Sequence, residues 1–241
     1  MTLNNKVAVI YGAGGSIGGA VSRAFAAEGA TVFAAGREVD ALDERAVDDH
    51  LDHVIAEAGR IDISFNAVGI PDADIVGTPL VDLDVDTFAR PILSYATSYF
   101  VTARAAARRM LPNGSGVIMR VTATHARTGI PLVGGYGPAM AAMEALTRGL
   151  SAELAPHGVR VVGLRPWAMP ESSTIQEAFE PRAAATGMTW EQWQEQLASR
   201  THARRLMTLE EMANAAAFLA SDKASGLTGT IVNLTMGSLD D

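Results

Sequence analysis

Residues 12–19 read Gly-Ala-Gly-Gly-Ser-Ile-Gly-Gly and sit between two segments of opposite periodicity. Before them, Val7–Tyr11 is a continuous apolar, largely β-branched run, the pattern of a strand buried on both faces. After them, Ile17, Ala20, Val21, Ala24 and Phe25 recur at spacings of three and four, which predicts a helix ending at Gly29. Thr31–Ala35 is a second short apolar run. Strand, glycine turn, helix and strand within about 30 residues make a βαβ unit. Glycines in that turn permit positive φ and let a pyrophosphate reach the N–H groups of the helix N-terminus, where the dipole favours an anion. The turn therefore points to a dinucleotide; the alternative is that its glycines serve only close packing. Arg37 follows the second strand, where an acidic residue would grip the ribose hydroxyls of NAD. A basic residue there suits the 2'-phosphate of NADP, whereas a merely solvated loop arginine would carry no such meaning.

The alternation continues. Strands are expected at 61–65, Gly116–Val121, 159–164 and Thr230–Leu234. A long alanine-rich helix is expected over 88–111, interrupted at its start by Pro91, and an amphipathic one over 139–154 with Met143, Leu146, Leu150 and Leu154 on one stripe. Thr208 and Glu211 form a capping-box pattern opening a helix that runs to about Ala220. The whole is an α/β chain, a Rossmann-like doubly wound parallel sheet with helices on both faces, as one domain over 1–241. Residues 166–205 break the pattern with Pro166, Pro170 and Pro181, and Thr189 and Gln192 can cap a helix within them. An insertion after a strand's C-terminal end lies where ligands bind in such sheets, so it is expected to cover the substrate. Trp167, Trp190 and Trp193 lie in it, either packing it onto the body or lining an apolar site. One stretch does not add up: if 38–42 begins the next parallel strand, the connection is too short for a crossover of a dozen or more residues. Either that strand is absent or roughly 20 residues are omitted after Arg37, and omission is the favoured expectation.

Composition narrows the function. With 19 Lys and Arg against 27 Asp and Glu, the formal net charge is -8, which disfavours nucleic acid. There is no cysteine, so thiolate nucleophiles, disulfides and Cys-based zinc sites are excluded, and no metal site is expected. The polar N-terminus resembles no signal peptide and no apolar run approaches the roughly 20 residues of a membrane span, so a cytoplasmic protein without membrane contact is expected. Only Lys6 and Lys223 are lysines.

At this point the sequence resembles the short-chain dehydrogenase/reductase family along nearly its whole length. Tyr11 to Gly18 is similar to that family's Thr-Gly-x-x-x-Gly-Ile-Gly, with Ser16 for the middle glycine, and a serine before Ile-Gly is similar to the divergent, enoyl-reductase-like branch. Asp40 to Asp43 is similar to its Asp-Val-x-Asp segment at adenine, and Asn66-Ala67-Val68-Gly69 to its Asn-Asn-Ala-Gly. Pro166 stands where the family has Pro-Gly after the sixth strand, and Thr228, Gly229 and Gly237 fit its C-terminus. The resemblance implies NADP(H), with NAD(H) the lesser alternative, held by Gly12, Gly14, Ser16, Ile17, Gly18, Arg37, Asp40, Asn66, Val68, Pro166 and Met169. Tyr95, Trp167, Trp190 and Trp193 are then expected to face a small, apolar carbonyl or enone substrate.

The family's mechanism uses a tyrosine as acid or base, a lysine four residues later to lower its pKa, a serine thirteen residues earlier and an asparagine in the long helix. A tyrosine of pKa near 10 needs such a cation before it can act as a base at neutral pH. Tyr136 aligns with the tyrosine, but Met140 replaces the lysine, Met143 stands where enoyl reductases keep theirs, Ala123 replaces the serine and Tyr95 the asparagine. Lys6 and Lys223 are too remote to substitute. Tyr136 is therefore expected to stay protonated, as a hydrogen-bond donor or a purely structural residue. Thr122, Thr124 and His125 are local substitutes, His125 being the one that titrates near neutrality or else a plain loop histidine. Arg165 is expected to point to the cofactor mouth and take a carboxylate or phosphate, and Arg120 is a second charge on a strand. Two functions remain open: an NADP-dependent short-chain oxidoreductase with an altered proton donor, or a non-redox relative, meaning a cyclase, an isomerase or a cofactor-binding pseudoenzyme. A homotetramer or homodimer is expected from pairing of the long helices through Ala103, Ala105, Ala106 and Ala107.

Overall fold

The computed structural model describes residues 1–70, 75–185 and 187–240. Six parallel strands form one sheet: β1 (Val7–Tyr11), β2 (Thr31–Ala35), β3 (Ile63–Asn66), β4 (Gly116–Val121), β5 (Val159–Pro166) and β6 (Thr230–Leu234), in the order β2-β1-β3-β4-β5-β6. Side-chain alternation feeds two cores. Val7, Val9 and Tyr11 face one and Ala8 and Ile10 the other, as the period of two along a strand requires. The first core is roofed by α2 (Glu44–Ala58), α3 (Val85–Met110) and α4 (Tyr136–Leu154); the second by α1 (Ser16–Ala27) and α7 (Leu209–Ala220). The doubly wound single sheet is thus the observed fold.

The stretch after β2 departs from the family pattern. Residues 38–42 form no strand. Asp43 caps α2 by accepting from the Arg45 and Ala46 N–H groups, Val47, Leu51 and Val54 bury one face, and Gly59 closes the helix in the left-handed region. This helix carries the chain past β1 to β3, so β2 is left as the sheet edge, with Thr31 and Ala34 exposed. The usual doubly wound order has a further strand outside the second.

Two other expectations change. The long helix begins at Val85, capped by Asp84, and runs through Pro91 without interruption. Ala103, Ala105, Ala106 and Ala107 are buried inside the chain itself because α3 is flanked by the sheet, α2 and α4, so they offer no surface to a second copy. Both capping boxes form, at Thr189 with Gln192 on α6 (Trp190–Ser199) and at Thr208 with Glu211 on α7. Thr208→Ala is expected to lower unfolding free energy by about 1 kcal/mol, read as a lower urea midpoint at constant slope. The insertion also holds α5 (Ser173–Ala185), whose sequence carries no clear amphipathic pattern.

Candidate active site

Strand order reverses between β1 and β3, so the crevice beyond their C-terminal ends is where this architecture binds ligands. The glycine turn closes over that crevice. Gly12 has φ 74°, and a Cβ there would lie 2.6 Å from the Ala67 carbonyl oxygen; a Cβ on Gly18 would lie 2.2 Å from the Gly12 oxygen. Both positions therefore demand glycine for close approach. A Cβ on Gly14 would meet nothing within 4 Å, and Gly15 at the start of α1 supplies no side-chain cap. Open space beside uncapped amides is a cradle that a pyrophosphate fits. Ser16 Oγ, at that same N-terminus, accepts from the Ser173 N–H at 3.2 Å, which ties the insertion to the turn. Ile17 packs against the second core.

The end of β2 carries charges of both signs. Arg37 and Glu38 are exposed. Glu38 folds back to accept from the Gly36 N–H at 2.5 Å, which holds its carboxyl below the usual range. Asp40 accepts from the Leu42 N–H in the turn before α2. Asn66 is buried and fully used inside the fold: its Nδ2 donates to the Ser98 carbonyl and to Thr102 Oγ1, and its Oδ1 accepts from Val68 N–H and Arg120. Its contribution is to fix the backbone of 66–68 beside Gly12. Pro166 ends β5, and Met169, 2% exposed, belongs to the second core.

Tyr136 is the first residue of α4 and half-buried. Its ring meets Tyr95 edge-on at 5.7 Å and His125 edge-on at 4.9 Å. Tyr95 comes from α3, where its hydroxyl accepts from the Ile70 N–H, and His125 from the turn after β4. Three elements thus bring together the aligned tyrosine, the residue at the asparagine position and the titratable candidate base. Thr124 is buried and turned to a neighbouring cleft of about 230 Å³, lined also by Thr128, Trp167, Arg200 and Leu239. Trp167 lies at that cleft, Trp193 lies obliquely against Phe179 at 6.3 Å, and Trp190 opens α6.

Arg165 does not reach the cofactor mouth. It is 2% exposed, and its Nε and Nη2 donate to the two Glu144 carboxylate oxygens at 2.8 and 2.9 Å, with Thr122 Oγ1 donating to the same carboxylate. Position at the end of β5 points such a charge towards the crevice, but Glu144 on α4, which faces it, takes it up instead. Among the described residues no cluster of three or more His, Asp or Glu side chains is placed to hold a metal ion, and no helix is long and apolar enough to cross a membrane.

Comparison with known proteins agrees with this architecture. The profile of the enoyl-(acyl carrier protein) reductase family matches residues 34–238. The 7alpha-hydroxysteroid dehydrogenase of Escherichia coli K12 is 26% identical, covering 100% of this chain and 97% of its own. That alignment spans 263 positions against 241 residues here, leaving 22 at which this chain has no counterpart. Among solved structures, NAD+-bound xylitol dehydrogenase superposes with a TM-score of 0.86 at 26% identity, covering 97% of this chain and 99% of that one. A gluconate 5-dehydrogenase from Burkholderia cenocepacia J2315 in complex with NADP and tartrate gives 0.84 at 25% identity, covering 98% and 96%. With its glycine cradle, its parallel sheet and relatives matched end to end, the chain belongs to the short-chain dehydrogenase/reductase family.

Proposed function

We propose that this short-chain oxidoreductase reduces a small, apolar carbonyl or enone compound with NADPH, using Tyr136 as the proton donor. The observation that carries the reading is the placement of Tyr136 at the N-terminus of α4, ringed by Tyr95 and His125. The nicotinamide, when bound, supplies the hydride. The chain's own part is to hold the pyrophosphate at Gly14 and the first turn of α1, to orient the carbonyl, and to deliver a proton. Tyr136 donates its phenolic hydrogen to the substrate oxygen as the carbon accepts hydride, and solvent then reprotonates the phenolate. His125, in edge contact with the ring, is the neighbouring group suited to that return. The insertion over 166–205, tied to the turn through Ser16 and Ser173, is read as the substrate cover. Leu93 and Phe100, exposed on α3, are the apolar positions through which a second copy would pair.

A panel of cyclic ketones and enones, followed by NADPH absorbance at 340 nm, tests the activity. Stoichiometric oxidation supports it. NADPH binding without turnover across the panel would favour the pseudoenzyme, isomerase or cyclase reading, and binding of neither NADPH nor NADH by calorimetry would rule the oxidoreductase out.

Cofactor choice follows from Arg37 and Glu38. Arg37→Ala is expected to weaken NADPH about tenfold, the effect of about 1.4 kcal/mol, and to leave NADH unchanged. Glu38→Gln is expected to tighten NADPH by removing a carboxylate that repels the 2'-phosphate. Calorimetric titration of both cofactors reads the two shifts, and loss of NADH affinity in Arg37→Ala would contradict the assignment.

A further inference from the structure

Lysine is absent from α4, yet a cation lies under the active-site tyrosines. Arg120, on β4, is 2% exposed. Its Nη1 donates to the Asn66 side-chain oxygen and, at 3.3 Å, to the Asn66 carbonyl, and its Nη2 donates to the Val68 carbonyl at 3.2 Å. All these acceptors are neutral. The buried Glu144 carboxylate is committed to Arg165, and no carboxylate pairs with Arg120 among the described residues. Its Nε is buried without a hydrogen-bond partner. A buried, unneutralised charge costs several kcal/mol unless the surroundings use it. The guanidinium carbon sits 5.4 Å from the centre of the Tyr95 ring, and Tyr95 is in edge contact with Tyr136.

We infer that Arg120 replaces the family lysine from the opposite side of the site, its charge favouring the phenolate of Tyr136. The inference rests on Tyr136 as the proton donor and revises the expectation that this tyrosine simply stays protonated. Arg120 touches neither substrate nor cofactor in this assignment; it is a positioning residue that also anchors the 66–68 backbone. Burial lowers the pKa of Arg120, and the phenols of Tyr95, Tyr136 and Tyr99 act in the opposite direction. That coupling is reciprocal: a tyrosine that keeps the proton on the guanidinium is itself made easier to ionise. Of the three, Tyr99 is pushed up to about 12 by burial and bonded to Thr147, which takes it out of use. Among the described residues, the ring contacts place Tyr95 of α3 and His125 of the turn after β4 against Tyr136, with Arg120 of β4 over the Tyr95 ring. Along α4 itself, Glu144 is neutralised by Arg165 of β5.

Phenolate absorbance at 295 nm, titrated on the full chain above pH 8 without substrate or cofactor, tests this. The curve of wild type minus Tyr136→Phe belongs to Tyr136. Its midpoint is expected at least about one pH unit below the ordinary value near 10, and to rise back to about 10 in Arg120→Met. Arg120→Lys, which keeps the charge, is expected to retain most of the lowering. A wild-type midpoint at or above 10, a midpoint unmoved in folded Arg120→Met, or a low-pH signal lost in Tyr95→Phe and kept in Tyr136→Phe would each overturn the inference. If Arg120→Met does not fold, Arg120→Gln, which preserves a donor to Asn66 and Val68, decides in the same way. A lowered midpoint in a protein that never oxidises NADPH would leave this inference standing and remove the proposed reaction; turnover with an ordinary midpoint would do the reverse.

Discussion

Tyr136→Phe is expected to lower kcat for NADPH-dependent carbonyl reduction by about 10²- to 10⁴-fold, the range of a positioned general acid. The substitution deletes one hydroxyl and keeps the ring, so the edge contacts with Tyr95 and His125 survive. Because the glycine cradle is built from residues 12–19 and 66–68, NADPH affinity is expected to stay unchanged. The loss should therefore appear in kcat and kcat/KM together, as it does when an interaction made only in the transition state is removed. His125→Ala is expected to cost less, because in this assignment the imidazole only helps return a proton to the phenolate after the hydride has moved. If His125 were the acid, the order of the two losses would invert. Steady-state kinetics of both variants against one accepted substrate, with calorimetric NADPH titration alongside, distinguishes the two assignments.

The sheet was legible because buried parallel strands write themselves as continuous apolar runs. Val7–Tyr11, Thr31–Ala35, Gly116–Val121 and Thr230–Leu234 fall where that pattern puts them. Helix α2, with the Asp43 cap, the Val47, Leu51 and Val54 stripe and the closing Gly59, is absent from the sequence reading, which considers only a strand at 38–42 in that region. Crossover length signalled an anomaly at that place. In this structure the chain passes directly from β2 through α2 to β3, a path that a one-dimensional pattern does not contain. The site divides the same way. Tyr136, Tyr95 and His125 converge from the start of α4, the interior of α3 and the turn after β4, three places that a one-dimensional pattern does not bring together. Arg120 and Arg165 look alike in sequence, each a charge in an apolar strand. They differ only in what faces them: Glu144 across from Arg165, neutral oxygens and tyrosines across from Arg120. The partner of a buried charge lies far along the chain, and no local signal announces it.

Arg165→Met is expected to destabilise the fold by about 3–5 kcal/mol, the cost of leaving one member of a buried pair unpaired. Both members are almost inaccessible, 2% and 3% exposed at the side chain, and the two parallel N–H donors to two oxygens define a bidentate geometry. Once Arg165 is gone, the Glu144 carboxylate keeps, among the described residues, the Thr122 hydroxyl, and an apolar neighbour cannot replace its lost charge. Replacing both members, Arg165→Met with Glu144→Leu, is expected to recover most of that loss, because a packed apolar pair avoids the desolvation penalty that either ion alone incurs. Urea denaturation of the two single variants and the double variant measures the coupling; a single replacement costing under about 1 kcal/mol would mean that water reaches the pair. The consequence extends to the chemistry. Glu144 follows Tyr136 by about two turns of α4, while Thr122 directly follows β4 and Arg165 lies near the end of β5. The pair is therefore expected to help fix how α4 is rotated against the sheet, and with it the Tyr136 phenol. A double variant that is stable yet has lost kcat with NADPH affinity intact would show the pair acting as a register device; full activity would assign it to stability alone.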